Sequence, residues 1–200
     1  MPDAEGVALH LVACRAAGLG LGPLVEVGAY LGRSTLYILS GVAARSGTAP
    51  RPLLYSVDHH RGSEEMQAGW PHHDPSLVDP EDGRMDSLPR WRKAVAAAGA
   101  ERAVVAIVGE SAAVAADWSR PLSLAFLDGG HGRDVAWADY RGWSPHVAPG
   151  GLLVIHDVFE DPRDGGRPPY ECYLDALAGG RFLEETSASR GSLRVLRRRR

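Results

Sequence analysis

Residues 25–34, which read VEVGAYLGRS, decide the fold of this chain. They join a short apolar run, Leu24–Val27, to a helical pattern that begins at Arg33. Gly28 permits a tight turn after the strand, and Gly32 lets the start of the helix pack closely against that strand. The free N–H groups of such a helix N-terminus attract anionic groups. The segment therefore predicts a strand, a turn and a helix that together form one side of a ligand site.

Polar side chains within this segment and after the next two strands extend the predicted site. The Ser34 hydroxyl can add a hydrogen-bond donor, whereas Glu26 suits a cationic ammonium and opposes a pyrophosphate. Asp58 closes the second strand, where an acidic residue commonly accepts hydrogen bonds from a ribose, and His59 can flank an adenine. Gly109-Glu110-Ser111 follow the third strand and can meet the adenine edge. We expect these groups to form a nucleoside-binding site at one edge of a sheet.

Apolar runs alternate with helical patterns along the chain. Runs that are apolar throughout are typical of strands buried on both faces of a parallel sheet, and strand–helix–strand repeats form a doubly wound sheet. The predicted strands are Leu24–Val27, Leu53–Val57, Val104–Val108, Leu122–Leu127 and Leu152–Ile155. The predicted helices between them span residues 33–46, 88–99, 111–118 and 133–143.

The end of the chain departs from this alternation. After a helix near residues 169–178 come two strand patterns, Arg181–Thr186 and Ser192–Leu196, joined by Ser187–Gly191. Strands this close in sequence pair antiparallel as a hairpin. The prediction is an α/β, Rossmann-like, mostly parallel sheet that ends in an antiparallel hairpin. That ending resembles class I methyltransferases and differs from most nicotinamide-binding Rossmann domains.

Composition limits the possible classes of protein. The 200 residues, 44% hydrophobic and 24% charged, suit a single domain over residues 1–200. The net charge is −3 although the basic tail, Arg197–Arg200, contributes four positive charges, so no nucleic-acid partner is expected. We interpret this tail as a solvated end. No apolar run approaches the roughly 18 residues of a membrane span, and the N-terminus lacks a signal-peptide pattern, so we expect a cytoplasmic protein.

The polar stretch at residues 59–87 does not fit the alternation of strands and helices. It is rich in proline and glycine and contains four histidines. A loop this long in a compact domain is uncommon and is usually functional or disordered. It follows the second strand at the edge where open α/β sheets bind ligands. We therefore predict a lid over the acceptor site, with a loosely ordered excursion as the alternative.

Several segments resemble known O-methyltransferases. Residues 28–34, GAYLGRS, are similar to the G-A-Y-x-G-x-S segment of catechol O-methyltransferase, and Gly109-x-Ser111 matches that family's third-strand motif. Residues 127–131, LDGGH, followed by residues 148–151, APGG, and by His156-Asp157, resemble small bacterial O-methyltransferases, including macrolide-sugar and rhamnosyl-type enzymes. The resemblance covers residues 20–160 and leaves the 59–87 loop unmatched.

The resemblance implies S-adenosylmethionine as the cofactor and a methyl group as what is transferred. The residues expected to contact the cofactor are Glu26, Gly28, Tyr30, Gly32, Ser34, Asp58, His59, Gly109, Glu110, Ser111 and Asp128.

Asp128 ends the fourth strand, and His156 and Asp157 end the fifth, so three side chains that can bind a metal converge at one edge. This set suits Mg²⁺ with open water positions. In the similar metal-dependent enzymes an aspartate at the first position and an acidic or Asp-Asn pair at the second bind Mg²⁺, and His156 departs from that pattern. Because imidazole is a poor ligand for a hard cation, Mn²⁺ or no metal at all are alternatives.

His131 stands three residues after Asp128, where the catechol-type enzymes place a basic lysine. With Asp128, we assign it to catalysis: its imidazole can accept the proton of the acceptor hydroxyl. The alternative is a helix-start residue that is hydrogen-bonded to nearby backbone. The histidines of the 59–87 loop compete for the role of base or ligand: His59, His60, His72 and His73.

The resulting hypothesis is an S-adenosylmethionine-dependent O-methyltransferase that acts on a small hydroxylated molecule, with a sugar or glycoside preferred. A homodimer is left open, and no membrane partner is expected. One alternative is a protein that binds the cofactor without turnover. A nicotinamide-dependent oxidoreductase is disfavoured by the Gly28-x-x-x-Gly32 spacing and by the terminal hairpin.

Overall fold

A computed structural model describes residues 1–45, 51–70 and 72–200. Its central feature is a seven-stranded sheet with the strand order β3-β2-β1-β4-β5-β7-β6. The strands are β1 Leu24–Val27, β2 Leu54–Asp58, β3 Val104–Val108, β4 Leu122–Leu127, β5 Val147–Ile155, β6 Phe182–Glu184 and β7 Arg194–Arg198. The first five strands pair in parallel, whereas β7 is antiparallel to both β5 and β6. The predicted fold class, including its antiparallel ending, is confirmed.

The strand order reverses at β1, which pairs with β2 on one side and with β4 on the other. At such a reversal, the connections that follow the neighbouring strands run to opposite sides. A crevice therefore opens beyond the carboxyl ends of the strands, and open α/β sheets bind their ligands there. The segment at residues 28–32 crosses that crevice directly after β1. Topology alone therefore brings the ends of β1, β2 and β4 together at one place.

In the described part of the chain, six helices cover the two faces of the sheet. They are α1 Asp3–Leu19, α2 Arg33–Ala44, α3 Leu88–Ala97, α4 Ser111–Ala116, α5 Arg133–Trp143 and α6 Pro168–Ala178. Apolar residues of α1 and α2 form one core with the sheet, and apolar residues of α4, α5 and α6 form the core on the opposite face. Helix α3 packs near α2: the indole N–H of Trp91 in α3 donates to the hydroxyl of Thr35 in α2 at 3.0 Å. The helix predicted over residues 33–46 corresponds to α2, and residue 46 lies outside the described residues.

β3 differs from the prediction of strands buried on both faces. It is an edge strand of the sheet, and Val105 and Val108 are 38% and 57% exposed. An apolar run indicates a strand but does not indicate whether helices cover both of its faces. None of the described helices combines the length and the apolar character needed to cross a membrane.

The basic tail also differs from the prediction of a solvated end. Arg197 and Arg198 belong to β7, where Arg197 pairs with Leu152 of β5 and with Leu183 of β6. The Arg197 guanidinium forms an ion pair with Glu185 at 2.9 Å. Alternate residues of an edge ribbon can point to solvent, so arginines there keep their charges hydrated while their backbone completes the sheet.

Candidate active site

A cavity of about 500 Å³ opens at the carboxyl ends of β1, β2, β3 and β4. Its floor comes from these strand ends and one wall from α5, while residues 62–66 of the 59–87 segment line another part of it. Eight of the predicted cofactor contacts line it: Gly28, Tyr30, Asp58, His59, Gly109, Glu110, Ser111 and Asp128. The volume lies within the range of small-molecule sites.

The turn after β1 depends on Gly28 and Asp58. Gly28 has a φ of +84°, and a Cβ atom there would lie 2.1 Å from the carbonyl oxygen of Asp128. The Asp58 carboxylate accepts hydrogen bonds from the backbone N–H groups of Ala29 and Tyr30, both at 2.9 Å. Asp58 therefore holds the turn in place and also lines the cavity.

Three of the predicted cofactor contacts lie outside the lining of the cavity. Glu26 is fully buried and accepts hydrogen bonds from the hydroxyls of Ser34, Thr35 and Ser56 at 2.6, 2.6 and 2.8 Å. Burial outweighs these bonds and raises the pKa of Glu26 to about 7. Gly32, with a φ of +92°, precedes α2 and faces Trp91. The reason is alternation along β1: Glu26 points toward α2, whereas Val27 points toward the cavity.

Ser111 and Asp139 meet near the third strand. The Ser111 hydroxyl accepts a hydrogen bond from the Trp143 indole at 2.7 Å. Asp139 is buried on α5 and lines the cavity. Burial raises the pKa of Asp139 to about 6, although its hydrogen bond with Ser111 opposes that shift. The sequence reasoning missed Asp139, yet an aspartate spaced three or four residues from apolar positions of one helix face is a usable signal.

Beside the cavity, Asp128, His131 and Asp157 form a compact cluster. One ligand atom from each residue lies within 4.8 Å of those from the others. Nε2 of His131 is 2.8 Å from Oδ2 of Asp157. The hydrogen bond with Asp157 raises the pKa of His131 despite partial burial. Burial raises the pKa of Asp128, whereas the two adjacent imidazoles overcome burial and lower the pKa of Asp157.

His156 takes a different place from the metal ligand that the sequence predicted. Its ring is buried, with Nδ1 at 3.0 Å from Oδ1 of Asp128 and 3.1 Å from Oδ1 of Asp157, although neither contact has the angle of a good hydrogen bond. Nε2 lies 2.9 Å from Oε2 of Glu5. Burial disfavours the charged ring, but the adjacent Asp128 and Asp157 carboxylates prevail and raise the pKa of His156 to about 11. Carboxylates at both nitrogens favour the imidazolium form of the His156 ring, whose charge offsets that of the acids.

The 59–87 segment reaches this cluster through Glu65. Nδ1 of His131 lies 3.2 Å from Oε2 of Glu65, so both ring nitrogens of His131 face carboxylates. Gln67 holds the turn by donating to three backbone carbonyls of residues 61–63. Within the described part of the segment, residues 64–66 and 75–77 form short 3-10 turns, and Leu77 and Met85 are buried.

Sequence reasoning also missed Glu5 and Glu65. For Glu5 a local signal exists, because this acid lies one helical turn before Leu9 on the apolar face of α1. For Glu65 we find no signal, since its contact with His131 joins residues 66 positions apart. Of the competing histidines, His59 lines the cavity and His60 is buried against Ser87 at 2.8 Å.

Solved structures share this fold across nearly the whole chain. TomG, an O-methyltransferase of Streptomyces achromogenes solved with S-adenosylmethionine, is 14% identical with a TM-score of 0.63, over 100% of this chain and 82% of its own. An O-methyltransferase of Bacillus cereus, solved with S-adenosylhomocysteine, is 16% identical with a TM-score of 0.63, over 100% and 82%. CalS11, a TDP-rhamnose 3'-O-methyltransferase of calicheamicin biosynthesis, is 14% identical with a TM-score of 0.65, over 96% and 78%.

Identities this low establish similarity of fold. A family model adds sequence evidence, because the family described as "Methyltransferase domain" matches residues 25–158, from the first strand to the residue after Asp157. The match covers about two thirds of the chain and includes the turn after β1 together with the Asp128, His131 and Asp157 cluster. This chain is therefore a member of that methyltransferase family.

Proposed function

We propose that this chain is an O-methyltransferase that uses S-adenosylmethionine and methylates a hydroxyl group of a small molecule. The observation that carries the proposal is the position of His131 and Asp157, which form a 2.8 Å contact beside a cavity at the switch point of the sheet. A base next to a cofactor-sized cavity suits deprotonation of a hydroxyl group. The similar solved structures described as O-methyltransferases agree with this chemistry.

The cavity has features that suit S-adenosylmethionine. Gly28 leaves no room for a side chain between the first turn and the Asp128 carbonyl, so backbone groups line that end. Asp58 and Ser111 offer oxygen atoms near the ends of β2 and β3, and Val27 and Val57 provide apolar surface. Such a mixture suits a ribose and an adenine. When bound, the cofactor supplies an electrophilic methyl group on a sulfonium sulfur.

We assign the proton of the acceptor hydroxyl to the imidazole of His131. Nε2 donates to Asp157, which orients the ring, so the proton goes to Nδ1, where Glu65 at 3.2 Å stabilises the resulting charge. Asp128, at the border between the cavity and the cluster, positions the acceptor oxygen. The hydroxyl proton would move to His131 as the acceptor oxygen takes the methyl group, and the bound cofactor would keep the electron pair of its sulfur–carbon bond. Alignment of these groups supplies the rest of the rate enhancement.

A divalent cation is the second part of the proposal. Asp128, His131 and Asp157 fit one by ligand type, because two carboxylates and one imidazole lie within 4.8 Å of one another. The imidazole favours Mn²⁺ over Mg²⁺. A bound cation would lower the pKa of the acceptor hydroxyl. The His131 ring can serve as ligand or as proton acceptor but not as both, and metal binding by a His131 variant separates the two roles.

A sugar or glycoside is the preferred acceptor. The wall formed by residues 62–66 contributes Ser63, Glu64 and Met66 to the cavity, and Asp134 lies on the α5 side. Hydroxyl and carboxylate oxygens of this kind can hydrogen-bond several hydroxyls of one acceptor. CalS11 is described as acting on TDP-rhamnose. We interpret the 59–87 segment as the lid over this part of the cavity; its residue Pro71 lies outside the described residues.

The test is transfer of an isotope-labelled methyl group from S-adenosylmethionine to a panel of sugars, glycosides and catechols. We expect label on a hydroxyl oxygen of at least one sugar or glycoside. Label on none of the panel contradicts the proposal. Calorimetry with S-adenosylhomocysteine and with NAD separates the rivals: binding of the former without transfer indicates a non-catalytic protein, and binding of NAD indicates an oxidoreductase. If activity survives EDTA treatment and does not rise when Mn²⁺ or Mg²⁺ is added, the reaction does not depend on a metal.

A further inference from the structure

Glu5 is a buried acid on α1, far in sequence from the acids of the active site. It is 4% exposed on a helix face that otherwise packs apolar residues. Burying a carboxylate is costly unless it is paired and hydrogen-bonded. Both oxygens are used: Oε2 lies 2.9 Å from Nε2 of His156, and Oε1 accepts from the Ser192 N–H at 2.6 Å and from its hydroxyl at 3.1 Å.

The first route from Glu5 to the active site runs through His156. Because a carboxylate only accepts hydrogen bonds, Nε2 of His156 must donate to Glu5. This contact leaves Nδ1 facing Asp128 and Asp157 at 3.0 and 3.1 Å. The ring is 4% exposed, and Phe126 packs edge-on against it. Glu5 thus fixes one end of a ring whose other end lies within 3.1 Å of both acids.

The second route runs through Ser192. Asp157 has a φ of +54°, a left-handed conformation that residues other than glycine seldom adopt. The N–H of Val158 donates to the Ser192 carbonyl at 3.0 Å, and the Ser192 hydroxyl lies 3.5 Å from Oδ1 of Asp157. Glu5 anchors Ser192 in turn. The residue before Ser192 is Gly191, and glycine is required there because a Cβ atom would lie 2.1 Å from Oε1 of Glu5.

We propose that Glu5 is a positioning residue that sets the geometry of Asp128 and Asp157 from outside the family-matched region, residues 25–158. It acts through His156 on both acids and through Ser192 on Asp157 alone. What the two acids do rests on the proposed function, whereas their positioning by Glu5 does not. A glutamine at position 5 has one acceptor oxygen, whereas Glu5 uses two. The amide therefore cannot accept hydrogen bonds from both His156 and Ser192.

The experiment compares Glu5→Gln and Glu5→Ala with Glu185→Gln. Glu185 also ties α1 to the C-terminal strands, through Arg15 and Arg197, and has no contact with His156 among the described residues. One readout is the pair of ring ¹H–¹⁵N signals of His156 in NMR spectra of the folded proteins. The other is Mn²⁺ affinity, measured by electron paramagnetic resonance, with S-adenosylhomocysteine affinity as a check on the cavity.

We expect Glu5→Ala to shift or broaden the His156 ring signals and to weaken Mn²⁺ binding about 10- to 100-fold, the usual effect of losing support behind metal ligands. Glu5→Gln gives an intermediate change, and Glu185→Gln keeps the wild-type signals and affinity. If Glu5→Ala does not fold, Glu5→Gln carries the test.

Unchanged ring signals and Mn²⁺ affinity in both Glu5 variants overturn the proposal. So does an equal loss in Glu185→Gln, because the effect would then come from docking α1 in general. A wild-type protein that binds no Mn²⁺ removes the metal from the proposed function, and the His156 signals then decide about Glu5 alone.

Discussion

Nε2 of His131 lies 2.8 Å from Oδ2 of Asp157, and this contact joins the loop before α5 to the end of β5. On the far side of Asp157, its Oδ1 faces His156. Asp157 is therefore held between two imidazoles, one beside the cavity and one buried against α1. This arrangement separates two kinds of histidine: His131 is close enough to the cavity to exchange a proton, whereas His156 supports the acids from behind.

Removing the His131 imidazole tests its role directly. We expect His131→Ala to lower methyl transfer about 10²- to 10⁴-fold, the usual contribution of a positioned base. Labelled methyl transfer to the best acceptor of the panel measures this loss. If His131 is the base, Mn²⁺ affinity stays at the wild-type value; if it is a ligand, Mn²⁺ affinity falls together with turnover. Wild-type turnover in this variant would remove His131 from the mechanism.

Glu65 tests whether the 59–87 segment orients the His131 ring. Glu65→Ala removes the 3.2 Å contact with Nδ1 of His131, and misplacement of a reacting group can cost up to about 100-fold in rate. We expect kcat to fall while the KM for S-adenosylmethionine is unchanged. Glu65→Gln, which keeps an acceptor oxygen, should recover part of the loss. The control is Glu81→Ala, which changes an exposed acid of the same segment; an equal effect there contradicts the assignment.

Gly28 tests the close approach of the first turn to β4. A Cβ at this position meets the Asp128 carbonyl at 2.1 Å, and its φ of +84° is also unfavourable for alanine. Gly99→Ala is the matched control, because Gly99 has a φ of +63° and open space around it. The control should lose about 1–2 kcal/mol of unfolding free energy from backbone strain alone.

Gly28→Ala should lose about 1–3 kcal/mol more than the control, since the clash adds an overpacking cost. Chemical denaturation measures both variants, and calorimetry with S-adenosylhomocysteine should show weaker binding only for Gly28→Ala. Equal stabilities for the two variants would mean that the turn can move away from β4.

Residue types at strand ends made most of the site predictable. The carboxyl ends of parallel strands share one edge, so Asp58, Asp128 and Asp157 had to lie along that edge once β2, β4 and β5 were recognised. What sequence could not assign was the face of a side chain in a strand buried on both sides. Residues 24, 25 and 27 are all apolar, so no alternation shows that Glu26 points toward α2.

Contacts between residues far apart in the chain could not be predicted from the sequence either. Glu5 and His156 are 151 residues apart, and no local pattern joins them. The position of His156 at the end of β5 suggested a metal ligand. Packing against α1 instead gives its Nε2 a carboxylate partner, Glu5, and the ring then supports Asp128 and Asp157 from behind. In the same way, an apolar run could not show that β3 is an edge strand with Val108 exposed.

The buried Glu26 makes a prediction about stability and pH. Its pKa is about 7 in the folded protein and 4.5 in the unfolded chain, so between these values the folded state binds more protons. Stability therefore falls as pH rises from about 4.5 to 7, by about 3 kcal/mol at about 1.4 kcal/mol per unit. Glu26→Gln removes this dependence and should unfold at a higher denaturant concentration than wild type at pH 8. Denaturation midpoints measured from pH 5 to 8 check it, and parallel pH profiles for the two proteins would show that Glu26 ionises normally.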